Sequence, residues 1–414
     1  MDIVVGAGVT GLSYAMFAKE RDILVVEKES TVGGYCRTTV RNNFVWDYSG
    51  HFFHFQDPEI KSLVLENMDK NELVDVVKQT KIKYKNLLVD YPFQKNIHQL
   101  DKEELLDCLY DLFVSVPNSY SNFLEMLYCK FGKSIAEKFL IPYNEKLYAC
   151  NLNTLDKDAM GRFFPYADRE DIIQNFRKAD NTSYNGRFVY SRKGAIAYVH
   201  SILSRLNQHK IKLNAEVKHI NPVEHKLVLS SGEEFCYDRL ISTLPFPVLL
   251  EKSGIGYDRT IYSWNQVLVF NLGFDTKGTD QTNHWLYFPE KKYSFYRVGF
   301  YDNILGSDQM SLYVELGFNK DTKINPHEWL GKVLKDLKET EIITEDQTLI
   351  DYESIIMNPA YVHINSASIQ DVLEKKKVLE QHNIYSIGRY GSWTYCSIED
   401  NIKEARELAR KNNG

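Results

Sequence analysis

The chain opens on a short apolar run, Ile3-Val4-Val5, that ends in glycines. Over 11–19 the apolar positions take a helical spacing, and 23–27 returns to a short apolar run, so the first segment reads as a strand–turn–helix–strand unit. Residues 57–80 and 101–140 carry apolar side chains at i, i+3, i+4 intervals among many charges and read as helical, the second as an inserted subdomain. From 187 to 250 the pattern breaks into short pieces. Segments 213–217, 226–229 and 240–243 read as strands, with Ser231-Gly232 as a hairpin turn. Between 262 and 317 aromatic and apolar residues alternate over 267–272, 285–288, 294–300 and 311–318, the pattern of an antiparallel sheet. Residues 326–340 look helical, 384–388 form a last strand, and a closing helix runs over about 398–411. This order predicts an α/β fold: a Rossmann-type nucleotide-binding domain interrupted by an inserted helical subdomain and an antiparallel sheet subdomain.

Composition changes this picture little. At 414 residues the chain exceeds what one core serves, and two or three subdomains are expected. The apolar fraction of 43% and charged fraction of 26% are those of an ordinary soluble protein, and a net charge of −6 gives no reason to expect a nucleic-acid partner. The 27 Tyr and 22 Phe fit aromatic-rich strands and a well-filled core better than a cleft of stacked rings, on composition alone. Six cysteines lie far apart with no metal-binding spacing, so no metal and a reduced, cytoplasmic setting are expected. With the first strand at its start the chain is expected to carry no leader, and no apolar run reaches the roughly 18 residues of a membrane span.

The chemistry begins in the first turn. Gly6-x-Gly8-x-x-Gly11 follows a strand and opens a helix. The first glycine permits a tight turn, the second lets the backbone approach a pyrophosphate, and the third allows close helix–strand packing. The helix N-terminus offers free N–H groups to phosphates. Glu27 ends the second strand, placed to accept hydrogen bonds from a ribose. Six residues later come Gly33-Gly34 and then Arg37, which can reach the phosphates, and Ile387-Gly388-Arg389-Tyr390-Gly391 before the last helix offers a second backbone-lined cradle. A cradle from the far end of the chain suits FAD, whose ring system extends deep between domains, better than NAD. The FAD-binding domain is then drawn from 1–80, 187–260 and 384–414, the helical insertion with mobile flaps from 96–186, and the sheet domain for substrate from 81–95 and 261–383.

Further segments stand in a telling order: Asp47-Tyr48-Ser49-Gly50-His51; Tyr91-Pro92-Phe93-Gln94-Lys95-Asn96-Ile97; Pro142-Tyr143-Asn144-Glu145-Lys146-Leu147-Tyr148-Ala149; Trp285-Leu286-Tyr287-Phe288-Pro289-Glu290; Phe295-Tyr296-Arg297; Pro359-Ala360-Tyr361; and Gly388-Arg389-Tyr390-Gly391-Ser392-Trp393-Thr394-Tyr395. From residue 3 to about 408 the chain resembles UDP-galactopyranose mutase, the flavoenzyme that interconverts pyranose and furanose forms of a nucleotide sugar, and more closely its eukaryotic-type branch. The resemblance implies that His51, beside Gly50, lies near the flavin, that Tyr91, Phe93 and Gln94 hold a uracil, and that Asn144 and Tyr148 meet the sugar. It implies flap contacts from Arg162 and Asn185, and a diphosphate site of Arg297 and Tyr361 with Tyr395, beside Trp285 and Tyr287. Arg389 would face both flavin and sugar, Val217 would line the cofactor, and Asp400 would act at a helix N-terminus near the flavin. The chain departs from the family pattern in several places, among them Lys81, which stands where the family carries an Arg, and Gly161-Arg162, one residue shorter than the family's Gly-Glu-Arg. Ser49 replaces the first glycine of a Gly-Gly-His loop, Tyr148 stands for Trp, and a short Gly-Asn-Gln-Asp-His segment after Tyr395 is missing.

The implied chemistry is a UDP-sugar mutase in which reduced FAD attacks the anomeric carbon through N5, UDP leaves, and a flavin–sugar adduct opens and recloses before UDP returns. His51, Arg297, Arg389 and Arg162 would carry it, and NAD(P)H is a possible reductant. The main alternative is an FAD-dependent oxidoreductase of the amine-oxidase or protoporphyrinogen-oxidase type, which shares the fingerprint and the Gly-Gly step. Oligomeric state stays open.

Overall fold

The computed structural model describes residues 1–114, 119–181, 186–206 and 210–413. Asp2–Val5 and Ile23–Val26 are buried at every position, as strands covered on both faces must be. They pair in parallel, and the sheet runs Ile384–Ser386, Arg239–Ser242, Asp2–Val5, Ile23–Val26, Lys210–Lys212, all parallel. The two-residue period divides its side chains. Val4, Val25 and Ile241 pack with the helices Val9–Phe17, Ile196–Leu203 and Ile398–Asn413. Ile3, Val5, Leu24, Val26 and Leu240 pack on the opposite face, against the antiparallel strands Val217–Asn221 and Lys226–Leu229 and the helix Phe246–Lys252.

A second, larger sheet runs Leu349–Met357, Ser263–Phe274, Ser311–Asn319, Arg297–Phe300, Trp285–Tyr287, Thr80–Tyr84, Leu87–Asp90, with Val362–His363 beside the start of Ser263–Phe274. Its faces also divide. Leu268, Phe270, Leu272, Val298, Leu312 and Val314 pack against the helix Pro326–Glu339. Val267, Val269 and Tyr313 belong to the core on the other face, which takes in the helical insertion together with Phe44, Trp46 and Phe52. That insertion contains Lys102–Val114, Phe123–Ile135, a wide turn at Ala136–Leu140 and Ile141–Tyr148.

Three local readings are corrected. Within residues 57–80 only Pro58–Leu65 is α-helical, Asp57 capping its first turn by accepting from the Glu59 and Ile60 N–H groups, and Lys70–Glu72 is a single 3-10 turn. Leu73–Val77, rich in β-branched side chains, instead pairs with Arg187–Ser191. The strand expected over 213–217 begins at Val217, because Asn214 takes a left-handed φ of +52° and breaks the run. The strand Leu349–Met357 and the helix Ser366–Glu380 lie outside the elements expected from sequence. The strand is mostly half-exposed, so its apolar residues do not alternate cleanly. Among the described residues no helix is long and apolar enough to cross a membrane.

Candidate active site

A cavity of about 750 Å³ lies at the carboxyl ends of the parallel strands, where open α/β sheets bind ligands. One wall is the glycine loop. Gly6 has φ +102°, and a Cβ there would fall 2.1 Å from Thr243 Oγ1. Gly8 and Gly34 face each other so closely that a Cβ on Gly34 would sit 3.4 Å from the Gly8 Cα. The Gly33 N–H donates to the Ala7 carbonyl at 2.8 Å, which ties the second glycine pair to the first turn. Glu27 is buried, accepting from the Ala7 N–H at 2.7 Å and the Glu29 N–H at 3.0 Å. Arg37 lines the cavity with its Nε donating to the Gly34 carbonyl and its guanidinium over Tyr48. Gly11 stands one turn back, where a Cβ would strike the Gly6 carbonyl at 2.0 Å. Val217 lines the end near Glu27, and Gly50, Gly388 and Arg389 line the rest.

The second cradle is bolted to the first by Asn401. Its Oδ1 accepts from Thr10 Oγ1 at 3.0 Å and from the Arg389 N–H at 2.8 Å, and its amide donates to the Ser397 carbonyl at 2.7 Å. The Arg389 guanidinium lies 4.7 Å from the Tyr395 ring centre and 5.2 Å from that of Tyr361, two rings stacked at 5.8 Å. Its Nη1 donates to the Cys396 carbonyl at 3.2 Å.

The opposite wall comes from one face of the large sheet. Arg297 and Glu315 are register partners on neighbouring strands. Glu315 Oε2 accepts from Arg297 Nε at 2.6 Å and Oε1 from Nη2 at 2.7 Å, a bidentate pair on a carboxylate that is 1% exposed. The Ser49 hydroxyl also donates to Glu315 Oε1. His51 Nδ1 lies 3.2 Å from the Ser49 carbonyl. Burial, and then the Arg389 charge, push the His51 imidazole down to about 4, so it is neutral at pH 7.

The remaining residues singled out from sequence divide. Gly6, Gly8, Glu27, Gly33, Gly34, Arg37, Gly50, His51, Val217, Arg297, Tyr361, Gly388, Arg389 and Tyr395 line the cavity. Tyr91, Tyr287 and Tyr143 form a ring cluster behind Tyr296 and Arg297, and Trp285 Nε1 donates to the Tyr287 hydroxyl at 2.8 Å. Phe93 is buried between Tyr84 and Phe139. Gln94 donates to the Pro165 carbonyl, and Asn144 donates to the Leu140 carbonyl at 2.7 Å. Arg162 is turned to Asp400, Nη2 to Oδ1 at 2.6 Å, while its neighbour Phe163 lines the cavity and meets Tyr395 edge-on. Asp400 also accepts from the Ser397 N–H and hydroxyl, and is not among the cavity's lining residues. Asn185 lies outside the described residues.

Several lining residues went unnoticed in the sequence: Ser49 as a side chain, Tyr296, Glu315, Phe163 and Asn401. Glu315 had a signal, a lone carboxylate in the middle of the apolar strand Ser311–Asn319. Among the described residues, three buried polar atoms on lining residues find no hydrogen-bond partner, Tyr296 Oη, Arg389 Nε and Trp393 Nε1, as do Gln94 Oε1, Asn144 Oδ1 and Tyr148 Oη on residues outside the lining. Unmet buried polar groups are costly, so the three on lining residues leave polar atoms beside the cavity for a ligand to meet.

These features define a protein with a Rossmann-type dinucleotide-binding fold and a deep polar and aromatic cavity at the strand ends. Residues 4–66 match the model of the NAD(P)-binding Rossmann-like domain. Over 100% of its length the chain superposes on 93% of reduced UDP-galactopyranose mutase with a TM-score of 0.91, at 23% identity. It has the fold of that mutase. It also superposes on a putative protoporphyrinogen oxidase from Exiguobacterium sp. 255-15 (TM-score 0.79, 15% identity, 99% of this chain and 98% of that one). A CLA-producing fatty acid isomerase from P. acnes follows more loosely (TM-score 0.65, 13% identity, 99% and 98%). Among curated proteins, protoporphyrinogen oxidase 2, chloroplastic/mitochondrial, of Arabidopsis thaliana is 38% identical over 63 residues, which is 15% of this chain and only 12% of that protein.

Proposed function

We propose that the protein is a flavin-dependent mutase that interconverts the pyranose and furanose forms of a UDP-sugar, UDP-galactose or a close analogue. The observation that carries this reading is the meeting, in one cavity, of a glycine-lined dinucleotide cradle with Arg297, Arg389, Tyr361 and Tyr395. FAD fits the cradle: Gly6, Gly8 and the N-terminus of Val9–Phe17 take its pyrophosphate, and Glu27 takes a ribose. The close approach of Gly8 and Gly34 leaves a strip of bare backbone for it. Reduced flavin, when bound, supplies a nucleophilic ring nitrogen for the sugar's anomeric carbon. The chain's own part is to hold and to neutralise. The free edge of Arg297 and the hydroxyls of Tyr361 and Tyr395 bind the substrate diphosphate and stabilise its charge as the sugar's C–O bond breaks. Arg389, beside the Tyr361–Tyr395 pair and near both rings, would bridge the two ligands. His51, neutral at pH 7, offers a hydrogen-bonding ring without a charge that would compete for the diphosphate. The aromatic walls exclude water from the reacting carbon.

A second reading has support of its own. The 63-residue match to a plant protoporphyrinogen oxidase and the superposition at TM-score 0.79 suit an FAD-dependent oxidoreductase. An apolar macrocycle would leave the unmet Tyr296 hydroxyl, on a residue that lines the cavity, without a partner, which favours the mutase. The test is to load the protein with FAD, reduce it with dithionite or NADPH, and incubate it with UDP-sugars, reading pyranose–furanose exchange by chromatography. Exchange of at least one UDP-sugar is expected. No exchange with any of them, with turnover of a porphyrinogen or amine and oxygen, overturns the reading.

A further inference from the structure

Ser49 holds a backbone conformation that suits glycine. Its φ is +72°, in the left-handed region, where a side chain is disfavoured. Gly50 follows it, and the departure from a Gly-Gly-His loop noted above falls at this position. What the serine adds over glycine at this position is a Cβ and a hydroxyl, and the hydroxyl is engaged.

That hydroxyl donates to Glu315 Oε1, on a carboxylate that is almost wholly buried. The same oxygen accepts from Arg297 Nη2, and the other oxygen from Arg297 Nε. One edge of the guanidinium is thus occupied by Glu315. Among the described residues Arg297 Nη1 takes no partner, and Arg297 lines the cavity. The carboxylate's terminal torsion is soft, and the Ser49 hydroxyl adds a third donor, from outside the guanidinium, to the two that Arg297 itself supplies. From this geometry we infer that Ser49 is a positioning residue: its hydroxyl fixes the Glu315 carboxylate, and Glu315 in turn aims the open edge of Arg297 at an anionic diphosphate in the cavity. The identity of that anion rests on the mutase reading; the aiming of Arg297 does not. No bond is made or broken by Ser49, and its contribution is the orientation of a charge it does not touch.

Two variants separate the hydroxyl from the backbone. Ser49→Ala removes the hydroxyl and keeps a Cβ at positive φ, whereas Ser49→Gly removes it and relieves the backbone. The FAD-loaded proteins are titrated with UDP by calorimetry, with FAD occupancy read from visible absorbance. In parallel, labelling of Arg297 by phenylglyoxal is followed by mass spectrometry. Both variants are expected to keep FAD and to lose UDP affinity by about ten-fold, the effect of one hydrogen bond to a charged group. Arg297 should be labelled several-fold faster in both. Ser49→Gly is expected to unfold at a higher temperature than Ser49→Ala while losing the same affinity. Affinity within about two-fold of the unaltered protein in both variants, too small a change for a lost bond to a charge, overturns the inference. So does full affinity in Ser49→Gly with a loss only in Ser49→Ala, which would assign the effect to strain. If the unaltered protein binds no UDP, the mutase reading falls, and the labelling rate still decides: equal labelling in all three proteins removes the role of Ser49.

Discussion

At the scale of single residues, the Arg297–Glu315 pair sets the character of the site. Burying two charges is costly unless the geometry is good, and here both carboxylate oxygens are engaged. Removing one member strands the other. Glu315→Ala is expected to lower stability by about 3 kcal/mol, the cost of leaving a buried cation uncompensated. Urea denaturation of the FAD-loaded protein reads this, and a loss under about 1 kcal/mol, the worth of an exposed pair, contradicts it. Arg297→Ala is expected to abolish exchange with FAD retained, because the fork proposed to take the diphosphate is gone. A normal rate in that variant would sink the diphosphate assignment. The sequence pointed to Arg297 through its motif. Its engagement by Glu315 was not legible, because the two lie 18 residues apart in sequence and meet only through strand register.

At the scale of elements, the site is held by joints between pieces distant in sequence. Asn401 joins the first helix, the Gly388 turn and the last helix through Thr10, Arg389 and Ser397. Asn401→Ala leaves these groups unmet, and the expected outcome is FAD binding weakened by about ten-fold, as for a buried hydrogen-bonding group removed. Dissociation of FAD followed by fluorescence measures it; unchanged retention contradicts it. Lys146 makes a second joint, donating to the Phe288 and Glu290 carbonyls at 2.8 and 3.0 Å and so docking Ile141–Tyr148 on the end of Trp285–Tyr287. Element types were read well where periodicity was strong: the first strand and helix, the strands at 226 and 311, the helix at 326. They were misread over 57–80, where charged residues among β-branched ones mimic a helical face although the chain there forms part of a sheet. The joints escaped notice because Asn401 and Lys146 resemble surface residues until the fold buries them.

At the scale of the molecule, burial of ionisable groups gives the fold an acid sensitivity. Burial pushes His51, His54, His284 and His363 each from 6.5 down to about 4. For such a group the unfolded chain takes up a proton first, so stability is lost as pH falls from 6.5 towards 4. Asp47 and Asp302, raised by burial to about 6, act the other way, the folded state taking up protons as pH falls below 6. Four groups outweigh two, and stability is expected to drop by about 3 kcal/mol between pH 7 and pH 5.5. Denaturation curves at the two pH values test this, and an unchanged or rising midpoint contradicts it.

The whole arrangement turns on one claim: the cavity uses a redox cofactor for a reaction with no net redox change. Anaerobic spectrophotometry of the reduced, FAD-loaded protein during turnover of a UDP-sugar tests this most directly. The flavin should stay reduced while many equivalents of the isomeric sugar nucleotide accumulate. Reoxidation of the flavin by the added substrate, one equivalent for each product formed, would contradict the account and return the protein to the oxidoreductases.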